Sequence, residues 1–169
     1  MGSEAEEKWE GKVGALVRGS STYKAWPLLE DFFLHKWVPT IDTCYRVEGI
    51  SGQPGCIRYC SVTRRSADSL EDVVTNWALE KLLATDPVNK CFSYEIVDFN
   101  TAGFESLVAT MKLTAARDAE EEDGCVMSWS SAVNPIEGLL KEKILTFLFL
   151  IFTIGTTSLY LYTTGTSKR

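Results

Sequence analysis

The chain has 169 residues, a formal net charge of −6 and a single histidine. A domain of this length buries roughly 70% of the surface of its unfolded chain, so one sizeable core is expected. The acidic balance argues against nucleic acid as a partner, and the single histidine excludes a histidine-rich metal site.

The cysteines form an odd set without a Cys-x-x-Cys pair, namely Cys44, Cys56, Cys60, Cys91 and Cys125. This pattern indicates neither a disulfide framework nor a zinc site, and we expect no metal and no other cofactor. Residues 1–8 are polar and acidic, lack the regions of a secretory signal, and are predicted to be a disordered leader. These features predict a cytoplasmic protein whose thiols are reduced.

The first structured segment is predicted to be a strand followed by two short helices. Residues 9–17 alternate in polarity as a strand does. Ser21 can cap a helix over residues 22–32, and Pro27 should kink that helix or mark a late start, because proline lacks an N–H. A second short helix is expected over residues 33–38.

The middle of the chain predicts a series of antiparallel strands joined by turns rich in Gly, Pro and Asp. The expected strands cover residues 43–49, 54–62, 73–83, 91–97, 104–113 and 125–133, and an acidic loop that includes residues 120–123 joins the last two. A helix should begin at Ile136. The element order predicts one α+β domain over residues 9–143, with a curved sheet around a C-terminal helix and a cavity between them.

The C-terminal segment, residues 144–169, is hydrophobic. From Ile144 to Tyr162 it carries no charge, and an apolar stretch of roughly 18 or more residues is a candidate membrane span. Three interpretations are open: the helix gripped by the sheet, a membrane tail anchor through residues 144–162, and an altered C-terminus that leaves the cavity poorly covered. The second would add membrane association to the cytoplasmic location.

Two charged residues, Arg58 and Glu80, are predicted to face the same cavity. Side chains alternate across a strand, so Arg58 shares a face with Cys56 and Cys60, and Glu80 shares a face with Asn76. A buried guanidinium must be paired or hold a ligand, and Glu80 is the best available partner. The alternative is an interior ion pair that only specifies packing.

Several stretches, taken in order, resemble one protein family. They are residues 8–13, 25–32, 34–36, 47–49, 55–59 and 77–82. These stretches are similar to the lachrymatory factor synthase-like proteins of plants, within the polyketide cyclase/dehydrase and lipid transport superfamily. The resemblance covers about residues 8–138 and implies the helix-grip, START-like fold. The sequence motifs that characterise the gate and latch of abscisic acid receptors, which share this fold, are not present.

The resemblance implies that Arg58 and Glu80 match the active-site arginine and glutamate of the synthase, which isomerises a 1-alkenyl sulfenic acid to a thial S-oxide. A guanidinium can hold the sulfenate oxygen, and a carboxyl group can move a proton. Tyr94 matches a pocket tyrosine, whereas Leu107 stands where the family has another tyrosine. A non-catalytic carrier of hydrophobic metabolites or lipids is therefore the second interpretation.

The predicted site consists of two catalytic candidates and a set of ligand-lining residues. Arg58 and Glu80 are the catalytic candidates, and the lining residues are Tyr94, Phe104, Leu107, Asn76 and Trp129. Packing is an alternative role for Trp129. The expected partner is a small hydrophobic or sulfur-containing ligand, and the sequence does not indicate an oligomeric state.

Overall fold

The computed structural model describes residues 8–18, 21–32, 41–66, 68–69, 71–100, 107–116, 124–134 and 161–163. Within these ranges the chain forms eight strands and one helix. They are β1 (Trp9–Arg18), α1 (Thr22–Leu29), β2 (Thr43–Glu48), β3 (Ile57–Arg65), β4 (Val73–Asp86), β5 (Cys91–Phe99), β6 (Leu107–Ala115), β7 (Gly124–Val133) and β8 (Leu161–Thr163).

The strands form a single sheet in the order β2-β3-β4-β5-β6-β7-β1-β8, and every neighbouring pair is antiparallel. The predicted antiparallel sheet is therefore confirmed. Some strands are longer than predicted, because the pairing continues into the hairpin ends: Arg65 pairs with Val73, and Asp86 pairs with Cys91.

One face of the sheet carries most of the core, and we call it the inner face. On β6, Ala109 and Met111 are buried, whereas the residues on either side of them are exposed or half-buried, as a period of two requires. Directly opposite residues lie on the same face, so Tyr94 and Phe92 of β5 join them. A row of stacked rings, Tyr45, Tyr59 and Trp77, crosses the opposite face.

Helix α1 packs against the inner face through Trp26 and Leu29, and the Trp26 ring lies 6.4 Å from that of Phe92. Ser21 caps the helix by accepting a hydrogen bond from the Lys24 N–H, as predicted. The alternative of a late start at Pro27 is wrong, since the helix begins at Thr22 and contains this proline.

Helix α1 also ends before the predicted boundary at Phe32. Phe32 has a φ of 71°, in the left-handed region that a right-handed helix cannot include. The turn over residues 51–55 packs against this end of the helix, because a Cβ on Gly52 would lie 2.7 Å from the carbonyl oxygen of Glu30. The turn leads directly into β3, so it fixes β3 beside the end of α1.

The last described residues correct one expectation about the tail. Leu161 and Tyr162, predicted to end a hydrophobic helix or tail anchor, pair in β8 with Ala15 and Gly14 of β1. The exposed edge of β1 offers backbone hydrogen-bonding groups that a short strand can satisfy. No helix in the described part of the chain has the length and hydrophobicity needed to cross a membrane.

Other predicted features lie outside the described residues. These are the leader up to residue 7, the second helix over 33–38, the acidic loop over 120–123, the C-terminal helix over 136–143 and the hydrophobic stretch over 144–160.

The packing of the turn against α1 can be tested with two glycines. Gly52 and Gly55 have φ values of 75° and 91°, so alanine at either position should cost about 1–2 kcal/mol in backbone strain. Only at Gly52 does the new Cβ collide with Glu30, and we expect Gly52→Ala to lose about 1–3 kcal/mol more than Gly55→Ala, where no atom lies within 4 Å. Urea denaturation measures both values, and equal losses would contradict this packing.

Candidate functional site

The structure brings Arg58 and Glu80 together as an ion pair on the inner face. The two residues lie directly opposite each other on β3 and β4. Arg58 Nε donates to Glu80 Oε2 at 2.6 Å, and Arg58 Nη2 lies 2.5 Å from the same oxygen. A register shift between Leu79 and Glu80 in the pairing with β5 interrupts the ladder at this point, as bulges beside functional groups often do.

The rest of the guanidinium is enclosed by the end of α1. Arg58 Nη1 donates to the backbone carbonyl of Phe32. The Phe32 ring centroid lies 3.8 Å from Arg58 Cζ, and the Tyr94 centroid lies 5.1 Å from it, so the cation contacts two aromatic faces. Arg58 is 1% exposed, whereas Glu80 retains 14% exposure. Glu80 is therefore the more accessible member of the pair.

The charge of Arg58 is maintained by its neighbours. Burial alone disfavours the cation, but Glu80 offsets this cost, with smaller contributions from Cys60, Tyr94 and Cys44, and the pKa of Arg58 is raised. The site therefore contains a permanent positive charge.

Tyr94 supplies a neutral polar group beside the pair. Its burial, together with the negative charge of Glu80, raises the pKa of Tyr94 well above its ordinary value, although Arg58 opposes this shift. Tyr94 is therefore a phenol at physiological pH and can donate a hydrogen bond.

The other predicted lining residues differ in how close they lie to the ion pair and Tyr94. The Trp129 ring lies 6.5 Å from that of Tyr94, which places it in the same aromatic group. Leu107 is buried and lies opposite Ile96, which in turn lies opposite Glu80, so strand β5 separates Leu107 from the pair. Asn76 lies further along β4, opposite Val62. Phe104 lies outside the described residues.

Sequence reasoning missed two contributors to the site. Phe32 falls within the predicted helix, and the local sequence carries no signal for its left-handed backbone, which accompanies its contacts with Arg58. The cysteine pattern predicts no pairing for Cys44, yet its Sγ lies 3.0 Å from that of Cys60, which is two residues from Arg58. The hairpin register between the predicted strands over 43–49 and 54–62 could have indicated this contact.

The arrangement suits recognition of a small molecule with one polar end. A carboxylate, a phenol and a fixed cation lie together among apolar and aromatic side chains, which is the composition of many ligand sites. Within the described ranges, no three side chains of the types His, Cys, Asp or Glu come together as metal ligands.

Comparisons with known proteins identify a matching family and similar solved structures. The family model for polyketide cyclase / dehydrase and lipid transport matches residues 21–149. Among solved structures, the chain is similar to XoxI from Bacillus cereus, with a TM-score of 0.65, 18% identity, and coverage of 86% of this chain and 89% of that chain. It is also similar to major latex-like protein 151 from Panax ginseng, with a TM-score of 0.62, 19% identity, and coverage of 86% and 95%. At these identities the structural likeness concerns the fold.

The energetic coupling of the ion pair can be measured with a double-mutant cycle. Removing one partner of a buried pair leaves an uncompensated charge or polar group, so Arg58→Met and Glu80→Met should each lower the free energy of unfolding by about 3–5 kcal/mol. The double variant should lose clearly less than the sum of the single losses. Chemical denaturation measures the free energy of unfolding of the wild-type protein, the two single variants and the double variant.

Arg46→Met provides the matched control. Arg46 lies opposite Arg58 on β2 but is exposed, so its replacement should change stability by no more than about 0.5 kcal/mol. Strictly additive losses for Arg58 and Glu80 would show that the two side chains are not coupled.

Proposed function

The chain belongs to the polyketide cyclase/dehydrase and lipid transport family, and from this premise we propose that it binds a small, largely apolar molecule against the inner face of its sheet. The observation that carries the proposal is the position of the Arg58–Glu80 pair and the Tyr94 phenol within a mostly apolar and aromatic surface. Such a surface binds the apolar body of a ligand, while a few polar groups orient its polar end.

Each polar group has a distinct part in this proposal. Glu80 and Tyr94 contact the polar end of the ligand, because Glu80 keeps some exposure and Tyr94 retains its proton. Arg58 acts mainly by holding the Glu80 carboxylate, since its donors also bind the Phe32 carbonyl and its plane is covered by rings. Trp129 and Leu107 supply apolar contact.

A carrier function is the form of this proposal that the geometry supports best. The guanidinium is already bonded to Glu80 and to the backbone at Phe32, so a ligand would have to displace one of these contacts to reach it. Breaking a buried charge-assisted hydrogen bond is costly, which favours binding beside the pair over binding to Arg58 itself. The proposal does not include a membrane tether; of residues 144–162, the described Leu161 and Tyr162 pair with β1.

A second candidate is the isomerisation of a sulfenic acid to a thial S-oxide. The observation that favours it is the short distance of 2.6 Å between Arg58 Nε and Glu80 Oε2, with a neutral phenol nearby. In this mechanism Arg58 binds the sulfenate oxygen and Glu80 moves a proton. Leu107 cannot supply the second phenol expected at its position, which weakens this candidate.

If the ligand binds to the inner face, a larger side chain on that face should lower the binding affinity. Ala109 is fully buried opposite Tyr94, and Ala109→Leu should occupy space beside the phenol. We expect it to weaken binding of at least one of three probes, oleic acid, cholesterol or ferulic acid, by about tenfold or more, equivalent to about 1.4 kcal/mol. Titration calorimetry provides the measurement, and circular dichroism checks that the variant folds.

Thr110→Leu is the control for this experiment. Thr110 is the next residue on β6, half-buried on the opposite face of the sheet, so its replacement should leave the affinity within about twofold. If no probe binds to the unmodified protein, or if both variants weaken binding equally, the inner face is not the binding surface.

The isomerase candidate makes a different prediction. Purified protein supplied with enzymatically generated 1-propenyl sulfenic acid should produce the thial S-oxide, and Glu80→Gln should reduce the rate by about 10²–10⁴-fold if the carboxylate transfers the proton. Mass spectrometry detects the product. A wild-type rate equal to that of Glu80→Gln would eliminate proton transfer by Glu80, while ligand binding would remain to be judged by the titration.

A further inference from the structure

A second pair of reactive groups lies next to the ion pair. Cys44 on β2 and Cys60 on β3 are directly opposite each other, and their sulfur atoms are 3.0 Å apart. Both residues are half-buried. Cys60 lies on the same face of β3 as Arg58, and both thiols contribute to the electrostatic environment of that guanidinium.

The backbone geometry at this position suits a disulfide. Directly opposite residues of antiparallel strands have Cα atoms about 4.5–5.5 Å apart. This separation falls within the range of about 4.4–6.8 Å that disulfides span. Because both sulfurs already point towards each other, formation of the bond requires only a small side-chain adjustment and no movement of the strands.

From this geometry we propose that Cys44 and Cys60 form a reversible disulfide on exposure to a hydroperoxide, and that this bond ties the edge strand β2 to β3. The inference is independent of the proposed function, because it depends on the two thiols and requires no ligand. It assigns a redox modification site beside Arg58.

The reaction balances with a hydroperoxide as the oxidant. The Cys44 thiol releases its proton, and the thiolate attacks the terminal oxygen of the hydroperoxide, so that the O–O bond breaks and the sulfenic acid of Cys44 forms. The leaving oxygen takes up the released proton and departs as an alcohol, or as water if the oxidant is hydrogen peroxide. The sulfur of Cys60 then attacks the sulfenic sulfur, the S–S bond forms, and water is released. Two thiols are oxidised and one hydroperoxide is reduced.

The roles within the pair follow from the positions of the two strands. Cys44 lies on the edge strand β2, whereas Cys60 lies on β3 between two neighbouring strands, and its hydrogen bond with Cys44 and its burial raise its pKa. We therefore assign the first attack to Cys44 and the second to Cys60. Two of the other thiols, Cys56 and Cys125, are fully buried, so an oxidant in solution reaches them less easily.

Peptide mapping tests the proposal directly, because trypsin places each of the five cysteines in a separate peptide. Cleavage after Lys36, Arg46, Arg58 and Arg64 isolates Cys44 and Cys60 in residues 37–46 and 59–64. After treatment of the folded full-length chain with hydrogen peroxide and alkylation under denaturing conditions, we expect these two peptides joined. Dithiothreitol should release them as two alkylatable thiols.

Thermal unfolding supplies a second readout. A disulfide that closes this loop should raise the melting temperature of the oxidised protein by about 5–10 °C, and dithiothreitol should remove the increase. Cys44→Ser should abolish both the joined peptide and the increase, and Cys60→Ser should do the same if it folds. Cys91→Ser, which changes another half-buried cysteine, should preserve both.

Three results would overturn the inference. They are full alkylation of Cys44 and Cys60 after peroxide treatment, a disulfide that joins either residue to another cysteine or to a second chain, and conversion of Cys44 to a sulfinic acid without cross-linking. None of these results bears on the ligand-binding proposal, which is tested in the reduced protein.

Discussion

The burial of one cation, Arg58, is the constraint on which the surrounding structure depends. A charge that is 1% exposed must be offset by its neighbours, because an isolated buried ion costs far more than the net stability of a domain of this size. Three separate elements meet this requirement: Glu80 from β4, the backbone carbonyl of Phe32 after α1, and the rings of Phe32 and Tyr94. The position of α1 on the sheet and the conformation of the chain after it are thus coupled to this single side chain.

The left-handed backbone of Phe32 illustrates this coupling. A bulky residue pays a cost of about 1–3 kcal/mol to adopt such a conformation, and it persists only where surrounding contacts compensate. At Phe32 the compensation is visible, because its ring covers Arg58 and its carbonyl accepts a hydrogen bond from the same guanidinium. The close approach of Gly52 to Glu30 adds a contact from the turn that leads into β3. Helix end, turn and charge are therefore arranged as one unit.

The parts of the structure that sequence could predict are those governed by periodicity. Alternation on two predicted strands was sufficient to place Arg58 and Glu80 on one face, because a period of two fixes the face of every residue once the strand is recognised. Alternation could not predict the positive φ of Phe32, because this conformation accompanies a contact with Arg58, which is 26 positions away in the sequence. Alternation also missed β8, since three residues within an uncharged segment are too few to show a period, and their strand conformation depends on the open edge of β1.

The two pairs on β3 have different consequences for how the site can change. Arg58 connects β3 to β4 through an ion pair whose cation is permanent. Cys60 connects β3 to the edge strand β2 through a thiol contact that oxidation can convert into a covalent bond. An edge strand is paired on only one side, so separating it from the sheet costs less free energy than separating an interior strand. A covalent bond at Cys44 would therefore restrict the part of the site that is otherwise held least firmly, while leaving the charge pair intact.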